Sequence, residues 1–151
     1  MLLTIDASVH LNALNPAEEG SSASQELLRR LHRVAPEAEP RHEVVSPTLL
    51  LVEIAAAVAR AFDDTERGKA VAAAVRDLPA QTWVDLDAPA AVEASAIASE
   101  QRLRGADAVY AAVAAGVHGH LVPRDRQQLE RLPPAIPTCR PDEALQLLEE
   151  P

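Results

Sequence analysis

Aromatic residues are almost missing from this chain of 151 residues; they make up 2% of it, as single copies of Phe62, Trp83 and Tyr110. A core without rings must be filled by aliphatic side chains and alanine, which suits helices packed closely through small contact residues. Cysteine is equally scarce. The lone Cys139 excludes an intramolecular disulfide framework and fits a reducing cytoplasm. Positive charge is short too, with 14 Lys and Arg against 23 Asp and Glu, a net charge of −9. That balance excludes a module gripping nucleic acid through a broad basic surface. It leaves room for an enzyme that meets phosphates through a bound cation and a few arginines. No apolar run approaches the ~20 residues of a membrane-spanning helix, and Met1 to Asp6 lacks the basic start of a signal peptide. No glycine-rich phosphate loop is present, which speaks against nucleoside triphosphate binding.

What is present is an ordinary globular composition, 48% hydrophobic and 25% charged, of a length that suits one domain over residues 1–151. Met1 to Ile5 reads as a buried strand, followed by a helix from Ala7 to Leu14 and another from Ser21 to Val34. Ala35 to Arg41, with two prolines, reads as a loop. His42–Ser46 is a strand candidate leading into a helix that starts at Pro47 or Thr48 and ends near Phe62. A helix over Thr65–Leu78, a strand over Gln81–Leu86 and an alanine-rich helix over Pro89–Arg102 follow. Gly105 separates that helix from one over Ala106–Ala115. His118–Val122 reads as a strand, a short helix runs to Leu132, Ala135–Cys139 reads as an edge strand and Pro141–Glu150 as a last helix. Short strands alternating with helices predict an α/β domain with a mainly parallel sheet.

One residue of the third helix is out of character. Glu53 sits in the apolar run Leu49–Ala59, where a lone carboxylate needs a partner, a proton or water. Its seven-residue spacing from Ser46 and Arg60 also allows a plain polar stripe. Other acids fall where an open parallel sheet binds ligands, outside the carboxyl ends of its strands. Asp6 follows the first strand, Asp125 follows His120–Val122, and Asp107 opens a helix after Gly105. Each has an ordinary reading as a helix cap, as Asp87 does before Pro89. Were Asp6, Glu53, Asp107 and Asp125 to converge, their repulsion would call for a compensating charge. A hard divalent cation supplies it, since Mg²⁺ takes oxygen ligands and needs few carboxylates beside a substrate phosphate. Glu53 is then expected to line a wet, cation-holding cleft opposite Asp6.

Four short stretches, in order, carry a resemblance: Leu3-Thr4-Ile5-Asp6-Ala7-Ser8, Leu50-Leu51-Val52-Glu53, Leu103-Arg104-Gly105-Ala106-Asp107-Ala108-Val109-Tyr110 and Leu121-Val122-Pro123-Arg124-Asp125-Arg126. In these the chain resembles a PIN-domain ribonuclease of the VapC toxin type along essentially its whole length. The resemblance implies a metal-dependent endoribonuclease, using Mg²⁺ or Mn²⁺, with Asp6, Glu53, Asp107 and Asp125 as its acidic metal-binding and catalytic quartet. It implies Ser8 as a supporting polar residue, an RNA substrate, a cognate antitoxin and a homodimer. The family usually has threonine where Pro123 stands, which singles out the Asp125 end and motivates an alternative, a PIN-like domain kept as an RNA- or protein-interaction module. Arg104, Arg124 and Arg126, with Arg102, are the basic residues nearest the proposed site, either contacting RNA phosphates or pairing with surface acids.

Other side chains read more plainly. His10 is expected on a helix surface rather than in the cleft. His118 and His120 lack two further ligands for zinc. Ser8 has no His–Asp partners for a triad, and Cys139 is expected to pack. An aspartate-based phosphatase would want an acid at position 8, and a receiver domain a later lysine, whereas Lys69 is the sole lysine.

Overall fold

The structure, a computed structural model, describes residues 1–33 and 42–149. Four short strands form one sheet: β1 (Leu2–Ile5), β2 (Glu43–Pro47), β3 (Gln81–Val84) and β4 (His120–Val122), in the order β3-β2-β1-β4. Every pairing is parallel. Parallel strands need crossover connections, and helices supply them here. The helices are α1 (Ala7–Ala13), α2 (Ser21–Leu31), α3 (Leu49–Phe62), α4 (Thr65–Arg76), α5 (Ala88–Gln101), α6 (Gly105–Gly116), α7 (Arg126–Arg131) and α8 (Pro141–Leu147).

From β1 the chain moves outward through β2 to β3, then returns across the sheet to place β4 on the other flank of β1. β1 and β4 therefore flank a topological switch point, where a crevice opens at the strands' carboxyl ends. Leu3 to Ile5 pair with His120 to Val122, so the residues after Ile5 and Val122 emerge side by side. Two apolar layers hold this frame. On one side Leu50, Ile54, Val58, Tyr110, Ala111 and Leu121 interlock; on the other Leu3, Ile5, Val9, Leu27, Val44 and Val122 do. Residues 108 to 114 of α6 are all buried, as a helix covered on every side requires. Gly68 lets α4 approach α3, since a Cβ there would meet the carbonyl oxygen of Ala55 at 2.6 Å.

Several expectations need correction. Pro47 ends β2, paired with Val84, and the helix starts at Leu49; a proline fits the end of a strand where a ladder N–H is not required. Ser46 is consequently a buried strand residue, so no stripe runs from Ser46 through Glu53 to Arg60 along one helix. The α5 helix ends at Gln101 and is capped by Arg102, in a left-handed conformation with φ 54°, and Gly105 is the first residue of α6. Ala135–Cys139 forms no strand; it contributes one isolated bridge, Thr138 to Leu121. The expected loop Ala35–Arg41, and Val34 and Glu150 at the ends of two expected helices, lie outside the described residues.

Candidate active site

Asp6 is the first residue beyond β1. Its backbone N–H donates to the Val122 carbonyl at 3.1 Å, continuing the β1–β4 ladder by one bond. Its Oδ1 accepts from the Ser8 N–H at 2.8 Å and caps α1. Its Oδ2 accepts from Gln128 Nε2 at 3.3 Å, and the side chain is buried. Ser8 also bridges the crevice, its Oγ accepting from the Arg124 N–H at 3.2 Å. Asp125 caps α7 through its Oδ1, which accepts from Gln127 N–H at 2.7 Å. Cap and site are thus compatible at both positions, because a carboxylate holds a helix end with one oxygen and has a second.

Glu53 and Asp107 approach from the two helices beneath. The Tyr110 hydroxyl donates to Glu53 Oε2 at 2.5 Å. Burial raises the Glu53 carboxyl above the usual range, opposed by the Tyr110 bond and reinforced by the negative charges of Asp6 and Asp107. Burial raises Asp107 likewise, with Arg104 opposing and Asp6 and Asp125 adding to the rise. Tyr110 is pushed far upward by burial and then by Glu53, so it stays a phenol and a donor. Each carboxylate therefore feels at least one of the others, and together they share one cleft at the switch point.

Arg104 lies across that cleft. Its Nε donates to Asp107 Oδ2 at 3.1 Å and its Nη2 to Asp125 Oδ2 at 2.7 Å, while 69% of its side chain remains exposed. The expectation for Arg124 fares differently, since its guanidinium is committed to Glu18 and to the Glu19 carbonyl oxygen. Those bonds tie it to the loop before α2 rather than offering it to a substrate phosphate. Arg126 is 87% exposed and pairs with Glu130, one turn on.

The crowding itself tests whether a cation suits these residues. The donors are all carboxylate oxygens, the set that hard divalent ions prefer, and neighbouring negative charge adds to the rise that burial causes at Glu53 and Asp107. Arg104 already supplies one positive group to two of them. The donor chemistry fits. The side chains as they stand are held by Tyr110 and Arg104, and among the described residues no three His, Cys, Asp or Glu side chains form a ready chelate.

Tyr110 and Gln128 were not singled out from the sequence. Each stands three residues after a candidate acid, Asp107 and Asp125, the interval that returns to one face of a helix; that spacing was the available signal. His10 also departs from expectation: it is buried, and burial, with a smaller push from His32, lowers its imidazole to about 3. It lines a cavity of about 660 Å³ with Leu14, His32, Val75 and Leu78, away from the carboxylates. Cys139 packs with Leu3 and Val122, its thiol pushed up to about 11 by burial.

The PIN domain model matches residues 3–133 of the chain. No curated protein matches it. Among solved structures, VapC20 of Mycobacterium tuberculosis, a sarcin–ricin loop cleaving toxin, superposes with a TM-score of 0.66 at 16% identity, covering 84% of this chain and 92% of that one. DNA-bound VapBC from Salmonella typhimurium gives 0.65 at 17% identity, over 93% of this chain and 99% of that one. VapBC2 from Rickettsia felis, bound to a promoter DNA fragment, gives 0.63 at 14% identity, over 93% and 98%. At such identities the likeness is one of fold.

Proposed function

The chain belongs to the PIN-domain family, and from that premise we propose that it is a divalent-cation-dependent endoribonuclease, the toxin of a toxin–antitoxin pair. The observation that carries the reading is the convergence of Asp6, Glu53, Asp107 and Asp125 at the β1–β4 switch point, each within electrostatic reach of another. Asp6, Glu53 and Asp107 would hold the cation, with Asp125 beside them. When bound, Mg²⁺ or Mn²⁺ supplies positive charge for the phosphate and lowers the pKa of an attacking water.

The protein's own part is positioning. Asp6 is fixed through both oxygens, by Ser8 and Gln128. Glu53 is held through Oε2 by Tyr110, leaving Oε1 to face the cation. Arg104, mostly exposed and already facing the acids, is the arginine placed to turn toward an RNA phosphate, and Arg126 the next. An antitoxin partner accords with the toxin–antitoxin complexes that share the fold. The exposed Val52, Leu86 and Val92 are apolar surface that a homodimer would cover. Among the described residues no helix is long and apolar enough to cross a membrane.

The test uses purified protein and structured RNAs with Mn²⁺ or with chelator. Cleavage should require the ion and be lost in Asp6→Asn and Glu53→Gln. Mn²⁺ should also raise the melting midpoint of the wild type, because a ligand of the folded state stabilises it by mass action. Cleavage equal to wild type in either variant would refute the site. The ion pairs that Arg104 already makes with Asp107 and Asp125 favour a second reading, a non-catalytic interaction module; RNA binding without cleavage, indifferent to Mn²⁺, would establish that one.

A further inference from the structure

Gln128 occupies an unexpected position. It is fully buried on α7 while Leu129, its apolar neighbour, is only half-buried. A short surface helix gains more by turning its leucine inward, so burying the amide calls for a reason. Its hydrogen bonds supply one. Nε2 donates to Asp6 Oδ2 at 3.3 Å, whereas Oε1 is buried with no partner among the described residues. Flipping the amide would set Oε1 against a carboxylate oxygen, which repels, so the donor end belongs on Asp6. The Asp6 contact is therefore what the buried amide achieves.

We propose that Gln128 is a positioning residue whose amide fixes the direction of the Asp6 carboxylate at the cation site. This rests on the nuclease reading above. The backbone gives Gln128 that leverage, because Asp125 caps the same helix through Gln127 N–H and Gln128 N–H. One short helix thus joins two of the four acids, Asp125 as its cap and Asp6 through its third residue. Hydrogen bonds of this kind commonly set metal affinity by about 10- to 100-fold without touching the ion.

The experiment is Mn²⁺ titration by calorimetry on the full chain, with melting of the metal-free protein and steady-state RNA cleavage. Gln128→Met keeps the volume and removes the donor; Gln128→Leu is the second variant should the first not fold. We expect Mn²⁺ binding weakened about 10-fold or more and kcat lowered with KM for RNA unchanged. Leu129→Ala loosens the same helix and should leave Mn²⁺ affinity unchanged. A lower midpoint with unchanged Mn²⁺ affinity in the Gln128 variants would overturn the proposal, as would equal weakening in Leu129→Ala. A wild type that neither binds Mn²⁺ nor cleaves RNA would overturn the nuclease reading itself, and this inference with it.

Discussion

Arg104 gives the most discriminating prediction, because one substitution should move two measurements in opposite directions. Its guanidinium reaches Asp107 at 3.1 Å and Asp125 at 2.7 Å from a side chain that is 69% exposed. Exposed ion pairs contribute about 0–1 kcal/mol each, so the pair of contacts together is taken as about 1 kcal/mol. A cation settling among the same carboxylates must displace these contacts and repel the guanidinium. Removing the side chain relieves that competition, and about 1 kcal/mol corresponds to roughly 5-fold in a dissociation constant. Arg104→Ala should therefore bind Mn²⁺ about 5-fold tighter. The same variant lacks the arginine best placed to meet a phosphate, so its KM for RNA should rise several-fold. Calorimetry and initial rates at saturating Mn²⁺ separate the two effects. Arg126→Ala is the control, since Arg126 pairs with Glu130 alone among the described residues and should change KM at most. Unchanged or weaker Mn²⁺ binding in Arg104→Ala would refute the reasoning, because the guanidinium would then not be competing for the site.

Tyr110→Phe removes the one hydrogen bond seen at Glu53 Oε2; a bond to a charged group contributes about 1.5–3 kcal/mol, so urea unfolding should show a loss of that order, and kcat should fall about 10-fold or more as Glu53 loses its fixed direction. His10 governs an acid limb of stability. Its folded-state value of about 3 lies below the ordinary imidazole value of 6.5, so the neutral ring stabilises the protein above pH 6.5 and this stability is lost as pH falls toward 3. At 1.36 kcal/mol per unit, the drop from pH 6.5 to pH 5 should cost the wild type about 2 kcal/mol from this residue. His10→Leu should flatten that limb in denaturant titrations, and an unchanged slope would count against a neutral buried imidazole.

Much of this architecture was legible in the sequence, for identifiable reasons. Strand and helix alternation follows from the change of hydrophobic period, and Asp87 caps α5 through a bond to Ala90 N–H, the local chemistry its position before Pro89 foretold. Pro47 was misplaced because proline suits both a first helical turn and a strand end, and only the pairing with Val84 decides between them. Ala135–Cys139 has strand composition but a single bridge, because pairing depends on what lies alongside. His10 was unreadable for a related reason: α1 is covered by α2, and a seven-residue helix shows too little periodicity to say which face that is. For Arg124 the sequence left phosphate contact and pairing with an acid both open, because its partners, Glu18 and Glu19, lie more than 100 residues away.

The four carboxylates divide by how the fold tolerates them. Asp6 and Asp125 cap α1 and α7, and Asp107 sits in the first turn of α6. All three thus meet the positive end of a helix dipole, which offsets part of their charge before any ion arrives. Glu53 lies in the second turn of α3, with no such end nearby, and its support comes from the hydroxyl of Tyr110. That difference explains why three acids could be anticipated from their places at element boundaries, whereas the fourth stood out as an anomaly in an apolar helix. It also locates the weakest point of the cation-free protein. With a helix end beside each of the other three, the carboxylate most in need of a bound cation is Glu53, which has the phenol of Tyr110 and the more distant charge of Arg104 in its favour.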